Sequence, residues 1–303
     1  MGTEAAGTLY GLGAYVLWGV LPLYFVALAP AGAWEVVAWR VLLSLVFCAL
    51  LLTVTRGWRR FVTVLRTPRL AALMALAGVL IYVNWQVFVL ATQTDHVLEA
   101  SLGYFINPIT TVLLAVLVLR ERLRILQWIA IAVAALAVIV IVVGYGAVPW
   151  YALLLTASFG VYGLVKKQVG GSVDAVSGLA LETLWITPIA VVQLGIVAAT
   201  TGITLGTAGP LHAVLLLCAG VVTAVPLLLF AAGSSRVPLA TMGMLQFAGP
   251  ILQFIIGAAV LHEEMPAVRW IGFGIVWIAC VLLVTDQLRH ARRVRPSVVA
   301  PVA

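Results

Sequence analysis

The chain has 303 residues, 64% of them hydrophobic and only 9% charged, with a formal net charge of +7. A soluble domain carries about 25% charged residues, so these few charges cannot clothe a water-soluble surface, and lipid is the solvent. The positive balance does not indicate nucleic acid, because the basic residues lie in short connections and no basic stripe is interleaved with base-stacking aromatics.

A bilayer core of ~30 Å needs ~20 apolar helical residues to cross it. Ten such runs are predicted, over 7–28, 34–55, 70–92, 98–119, 126–143, 149–165, 176–199, 211–232, 239–261 and 268–285. They are continuous rather than alternating, which favours helices over barrel strands, and helices satisfy their own backbone groups in lipid. The first run lacks the basic start of a signal peptide and continues too far for one, so it reads as a span. Pro22, Pro108, Pro188, Pro226 and Pro250 fall inside runs, where each is expected to bend or loosen its helix. The longest connection, RGWRRFVTVLRTPR, leaves no room for an extramembrane domain, and there is no Gly-Lys-Ser/Thr nucleotide loop. The tail over 286–303 is short and basic and is expected to lie disordered against anionic headgroups. With the N-terminus in the cytoplasm, all of the 17 Lys and Arg except Arg40 and Arg269 fall in cytoplasmic connections or the tail. Both termini are therefore expected inside.

The segments RERLRILQW (Arg120–Trp128) and HEEMPAVRW (His262–Trp270) share one frame at an offset of 142, with Pro108 and Pro250 each 13 residues before the aligned glutamate. Ala77-Gly78 and Ala219-Gly220 keep the same offset, and GVLPL at Gly19 resembles GVYGL at Gly160 one residue out of register. Five spans per half place the second copy upside down, so the outer copy has fewer arginines. The expected architecture is an all-α integral membrane protein of ten transmembrane helices in two inverted five-helix repeats, 1–146 and 147–285, followed by the tail.

Ionisable and polar residues inside spans are costly and mark cavities or pathways. Trp18 lies near the middle of the first span, as a cavity wall or a packing residue. Arg40, roughly 9 Å of helix rise below the outer edge, either pairs with Glu35 or Glu99 or attracts anions along a path. Asn84 lies at nearly the same depth beside Trp85, as a ligand to substrate or an interhelical hydrogen bond. Glu99, Asn107, Thr110 and Thr111 recur at helical spacing and predict one polar stripe, with Pro108 freeing a carbonyl in it. Tyr104 and Gln246 occupy one frame at the 142 offset, and Gln246 and Gln253 flank Pro250 on one face. Glu182, about six residues into the seventh span, is a proton-coupling candidate or the partner of a neighbouring helix, and Glu99 is a second coupling candidate. The four histidines, His96, His212, His262 and His290, are not at ligand spacing, and the three cysteines form no CxxC. No catalytic cluster, metal site or cofactor is expected, and the chain is not read as an enzyme.

The stretches AYVLWGVLPLY, WEVVAWRVLLSL, NWQVFVLAT, VLEASLGYFINP and RERLRILQW resemble the RarD branch of the EamA-type transporters, in the drug/metabolite transporter superfamily. The resemblance covers nearly the whole chain and is strongest over 10–130. It implies two inverted five-helix repeats around a central cavity in a bacterial inner membrane, and secondary transport, often export, of small organic metabolites or drugs. HEEM stands where the first half has RERL, so the two halves need not contribute equal site residues. The combined expectation is alternating access driven by a proton or concentration gradient. Arg40 and Asn84 would fix an anionic or carbonyl group, and Trp18, Trp85 and Tyr104 would form the apolar wall, with Asn107 and Gln246 also at the site. The expected partners are a small organic substrate and the bilayer, with no nucleic acid, and the chain is read as a monomer or homodimer. The alternative is a non-transporting membrane receptor or scaffold.

Overall fold

The computed structural model describes residues 3–119 and 123–294. The helices in chain order are α1 (Thr3–Ala27), α2 (Ala33–Val54), α3 (Trp58–Leu65), α4 (Pro68–Gln93), α5 (Val97–Leu119), α6 (Ile125–Tyr145), α7 (Trp150–Val169), α8 (Ala175–Thr200), α9 (Pro210–Leu217), α10 (Ala219–Ser234), α11 (Leu239–Leu245), α12 (Ala248–Ile255) and α13 (Ala267–Val294). All ten expected runs are helical. The pairs α9/α10 and α11/α12 each make one crossing, the second closed by a π turn over Ile256–Val260. Among the described residues, nine crossings are long and apolar enough to span a bilayer by length and composition. The tenth, α7, has 20 residues and is less apolar because Thr156, Ser158, Tyr162 and Lys166 lie on it and turn towards neighbouring helices.

Three details extend or amend the sequence expectation. The connection after α2 is not featureless, because α3 forms there and buries Phe61 and Val64 while Arg59 and Arg60 stay exposed. Its apolar residues recur at helical spacing and pin the segment to the bundle. Pro22, Pro108, Pro188 and Pro226 sit in uninterrupted helices, where neighbouring turns absorb one lost bond. Only Pro250 coincides with a break, at Gln246–Phe247, and Gln246 is the residue whose carbonyl the missing proline N–H would have served. The tail does not begin at 286: α13 runs on to Val294, and Asp286 is held by Arg124 through Nε contacts of 2.9 and 2.8 Å. Arg120, Glu121 and Arg122 of the RERL motif, and residues 295–303, lie outside the described residues.

The helix pairing has a two-fold pattern. When each of the first five crossings is exchanged for its counterpart in the second five, the main contacts map onto one another. Thus α1 on α10 matches α7 on α4, α1 on α12 matches α7 on α5, and α2 on α10 matches α8 on α4. The pairs α2/α8, α5/α12 and α6/α13 map onto themselves. Close backbone approaches repeat in the same way. A Cβ at Gly78 would lie 2.7 Å from the Glu182 carbonyl on α8, and one at Gly220 would lie 2.4 Å from the Leu43 carbonyl on α2. Gly19 abuts Leu252, and Gly160 abuts Thr110, the counterpart of Leu252 at the 142 offset. Lipid supplies no hydrophobic drive for helices to associate, so close van der Waals packing at small residues has to do it. Gly144 of α6 against Val268 of α13 and Gly272 of α13 against Ile141 of α6 make such a seam, with Ala130, Ala134, Ala137 and Ala279 buried in the same core.

Two cores result. One is centred on α1, α2, α4, α7 and α8. The other is formed by α5, α6 and α13. Outward positions such as Leu50, Ile125, Val143 and Val281 are exposed and apolar, as a lipid-facing surface requires.

Candidate substrate site

The candidate site lies where α1, α2, α4, α5, α7 and α10 converge. Arg40 of α2 is 4% exposed. Its Nε donates to Thr223 Oγ1 on α10 at 2.8 Å, and its guanidinium carbon sits 4.3 Å from the Trp85 ring centroid and 5.4 Å from that of Phe25. Arg40 pairs with neither Glu35 nor Glu99, which removes one of the two sequence readings. Glu35 is occupied by Thr204 N and Oγ1, at 2.8 and 2.9 Å. Glu99 accepts from Tyr151 N at 2.7 Å. Backbone N–H groups at a helix start or loop are unpaired and fixed, so these carboxylates are held there.

From Phe25 a chain of edge-on rings leads through Phe88 to Tyr104 and on to Phe159, with centroids 5.9, 5.6 and 6.1 Å apart. Tyr104 donates to Asn84 Oδ1 at 3.0 Å. Asn84 Nδ2 donates to the Leu155 carbonyl at 3.2 Å and to Ser158 Oγ at 3.1 Å. Arg40, Asn84, Trp85 and Tyr104 are thus brought together from three stretches of the chain, α2, α4 and α5. Asn84 is the interhelical tie of α4, α5 and α7, with all its groups engaged. Beside Trp85, Gln86 accepts from Gln193 of α8 at 3.1 Å.

The other predicted residues have the following surroundings. Trp18 packs edge-on against Tyr15 and tilted against Phe230, at 5.4 and 5.8 Å, and its carbonyl accepts from Gln253 at 3.3 Å. Gln246 marks the α11/α12 break. Asn107 leaves its buried Oδ1 without a partner. The polar stripe on α5 divides, because Thr110 bonds Thr156 of α7 at 2.9 Å while Thr111 is exposed and returns to its own helix. Glu182, 1% exposed, is paired with Lys166 at 2.8 Å and receives Tyr162 at 3.3 Å. Sequence reading missed Thr223, Phe25, Phe88, Ser158 and the Lys166/Tyr162 pair. Tyr162 and Lys166 stand four apart, on one face of α7, which was a legible signal. Thr223 offers none beyond a hydroxyl in an apolar run.

At the end of the bundle carrying the N-termini of α2, α5 and α7, three carboxylates cross between the halves. Besides Glu35 and Glu99, Glu263 accepts from Val97 N and, at 2.9 Å, from Leu98 N, at the start of α5. Burial pushes the Glu263 carboxyl up from its ordinary value, opposed by those two N–H donors and by Arg269 and His96. At the other end a cavity of about 280 Å³ is lined by Leu52, Thr55, Arg56, Gly57, Arg60, Asp174 and Val176.

Ten helical crossings among the described residues, paired two-fold around a buried polar and aromatic centre, make a polytopic membrane protein. The model of the EamA-like transporter family matches residues 5–143, which is α1 through most of α6. Similar proteins include Protein RarD of Streptomyces exfoliatus, 43% identical over 96% of this chain and 92% of the relative. Protein RarD of Escherichia coli is 37% identical over 95% of this chain and 96% of the relative. A Vibrio cholerae protein named as an uncharacterized transporter is 41% identical over 95% of each. One solved crystal structure superposes with a TM-score of 0.58 at 19% identity, covering 96% of this chain and 99% of the other, a likeness of fold alone. The chain belongs to the EamA-like transporter family, in its RarD branch. It is a multi-pass membrane transporter of the drug/metabolite superfamily, and the lipid bilayer is its environment.

Proposed function

We propose that this protein exports small organic metabolites or drugs across the bacterial inner membrane by alternating access, as a secondary transporter and not an enzyme, with both termini cytoplasmic. The reading rests on one observation above others: both halves, 1–146 and 147–285, contribute helices to a single buried centre, and their contacts interchange two-fold. Such a molecule has two equivalent ways of parting around one site. Arg40 binds substrate, and the rings of Phe25, Phe88 and Tyr104 form its apolar wall.

With the arginine-rich connections inside, the end clasped by Glu35, Glu99 and Glu263 is the outer one. Those three carboxylates each join one half to backbone N–H groups of the other, so this conformation is closed to the outside. Outward opening requires the clasps to release, which gives Glu99 the part of a gate rather than a proton carrier. Glu182, with Lys166 and Tyr162, is the proton-coupling candidate. The test is uptake into proteoliposomes with and without a pH gradient. Flux that collapses in Arg40→Gln and responds to the gradient supports the reading. Proteoliposomes that leave every applied gradient of organic solute intact overturn it.

A further inference from the structure

Arg40 is a permanent cation with an incomplete set of partners. Its Nε is used by Thr223 and two aromatic rings cover its guanidinium, but NH1 is buried with no hydrogen-bond partner. Arg40 shares no ion pair with a carboxylate of the described residues, and Asp286 and Glu182 are paired with Arg124 and Lys166. Glu35, Glu99 and Glu182 are committed to Thr204, Tyr151 and Lys166. One turn along the same face of α2, Ser44 Oγ is also fully buried and without a partner. A hydroxyl and two π-faces offset only part of the cost of burying a charge. Burial without a counter-charge is sustained most readily if the counter-charge arrives with the ligand.

The neutral alternative, a carbonyl fixed by Asn84, loses its group. Asn84 spends its amide protons on Leu155 and Ser158 and its oxygen on Tyr104. The groups left without a partner around the centre are Arg40 NH1, Ser44 Oγ and Gln86 Nε2, and of these only the Arg40 donor carries a charge, set beside the row of rings through Phe25, Phe88 and Tyr104.

We infer that the substrates are organic anions, small acids carrying one carboxylate or similar oxyanion on a compact apolar body. The inference deepens the transport reading above and rests on it. The carboxylate meets Arg40 NH1 in a charge-assisted hydrogen bond, and the body lies against the aromatic row. Neutral amides of the same shape lack the charge, and amines carry the wrong one.

The test compares benzoate, phenylacetate and hexanoate with benzamide and benzylamine on the purified full chain, at fixed ionic strength, by ligand-induced shift in Tm. The acids are expected to bind about tenfold more tightly than the amide, the ratio that follows from the larger net energy of a hydrogen bond between charged groups. Arg40→Lys is expected to weaken that preference and Arg40→Gln to abolish it. Equal binding of benzoate and benzamide by the unmodified protein overturns the inference, as does the absence of a shift with every acid. Neither result depends on a variant folding. Proteoliposome flux separates the two readings: movement of neutral solutes but not acids leaves the transporter standing and removes the anion, whereas movement of neither class removes both.

Discussion

Replacing Lys166 with Met strips the counter-charge from a carboxylate that is 1% exposed. The pair is short, at 2.8 Å, but the Lys166 side chain is one-third exposed, so water screens part of the attraction. Breaking a buried pair by removing one partner costs about 3–5 kcal/mol. The exposure of Lys166 and the remaining Tyr162 donor, 3.3 Å away, place the expected loss at the lower end, about 3 kcal/mol. At the 2–4 °C per kcal/mol of larger domains this is a fall in Tm of roughly 6–12 °C. Removing the carboxylate too, in Lys166→Met with Glu182→Leu, takes away the stranded charge and should recover most of the loss. The assay is thermal unfolding of the two single variants and the double variant in one detergent. A double variant as unstable as Lys166→Met would refute the reasoning, because the cost would then lie in lost packing of the lysine stem and not in an unpaired carboxylate. Flux adds a second reading. If Glu182 carries the coupling proton, Glu182→Gln should still move substrate down its gradient but lose its response to pH.

Gly78→Ala and Gly220→Ala should each destabilise by about 1–3 kcal/mol through overpacking, because each Cβ meets a facing backbone carbonyl. Gly163→Ala, with nothing within 4 Å, should be neutral or gain in helix propensity, and equal effects at all three positions in thermal unfolding would contradict the close approaches. Asn84→Leu strands the Tyr104 hydroxyl and takes a donor from the Leu155 carbonyl and from Ser158 Oγ, and should cost on the order of 1–3 kcal/mol. Retention of full stability would mean that Asn84 is not the tie between α4, α5 and α7. The raised pKa of Glu263 means that the folded chain holds that proton more tightly than the unfolded chain does. Its contribution is therefore full below the ordinary value of 4.5 and is lost as pH rises through the raised one. Glu263→Gln should remove this slope from a plot of Tm against pH, and an unchanged slope would assign it to another group.

The positions of the crossings were legible because a bilayer demands long apolar helices whatever their neighbours are, and the Pro, Glu and Trp frame at offset 142 announced the repeat. The site was legible only in part. Arg40, Asn84, Trp85 and Tyr104 stood out as polar or amphipathic residues at matching depth, and they do converge. Their roles were not readable: Asn84 is saturated by Leu155, Ser158 and Tyr104, and Glu99 is a clasp on α7. Trp18 stood out by the same signs, yet its closest ring and backbone partners are Tyr15, Phe230 and Gln253, because depth in a helix does not specify which way its face turns.

Composition and hydrophobic run length by themselves determined that this is a ten-helix membrane protein, and charge asymmetry with the repeat determined the expected inversion. Both are consequences of transferring single helices into lipid, which each segment decides locally. Tertiary structure alone decided the partners. Whether a buried carboxylate meets Lys166, the N–H groups at the start of α5 or an arginine depends on which helix ends the packing of glycine and alanine seams brings within 3 Å. That choice left Arg40 among rings and a threonine, without a carboxylate.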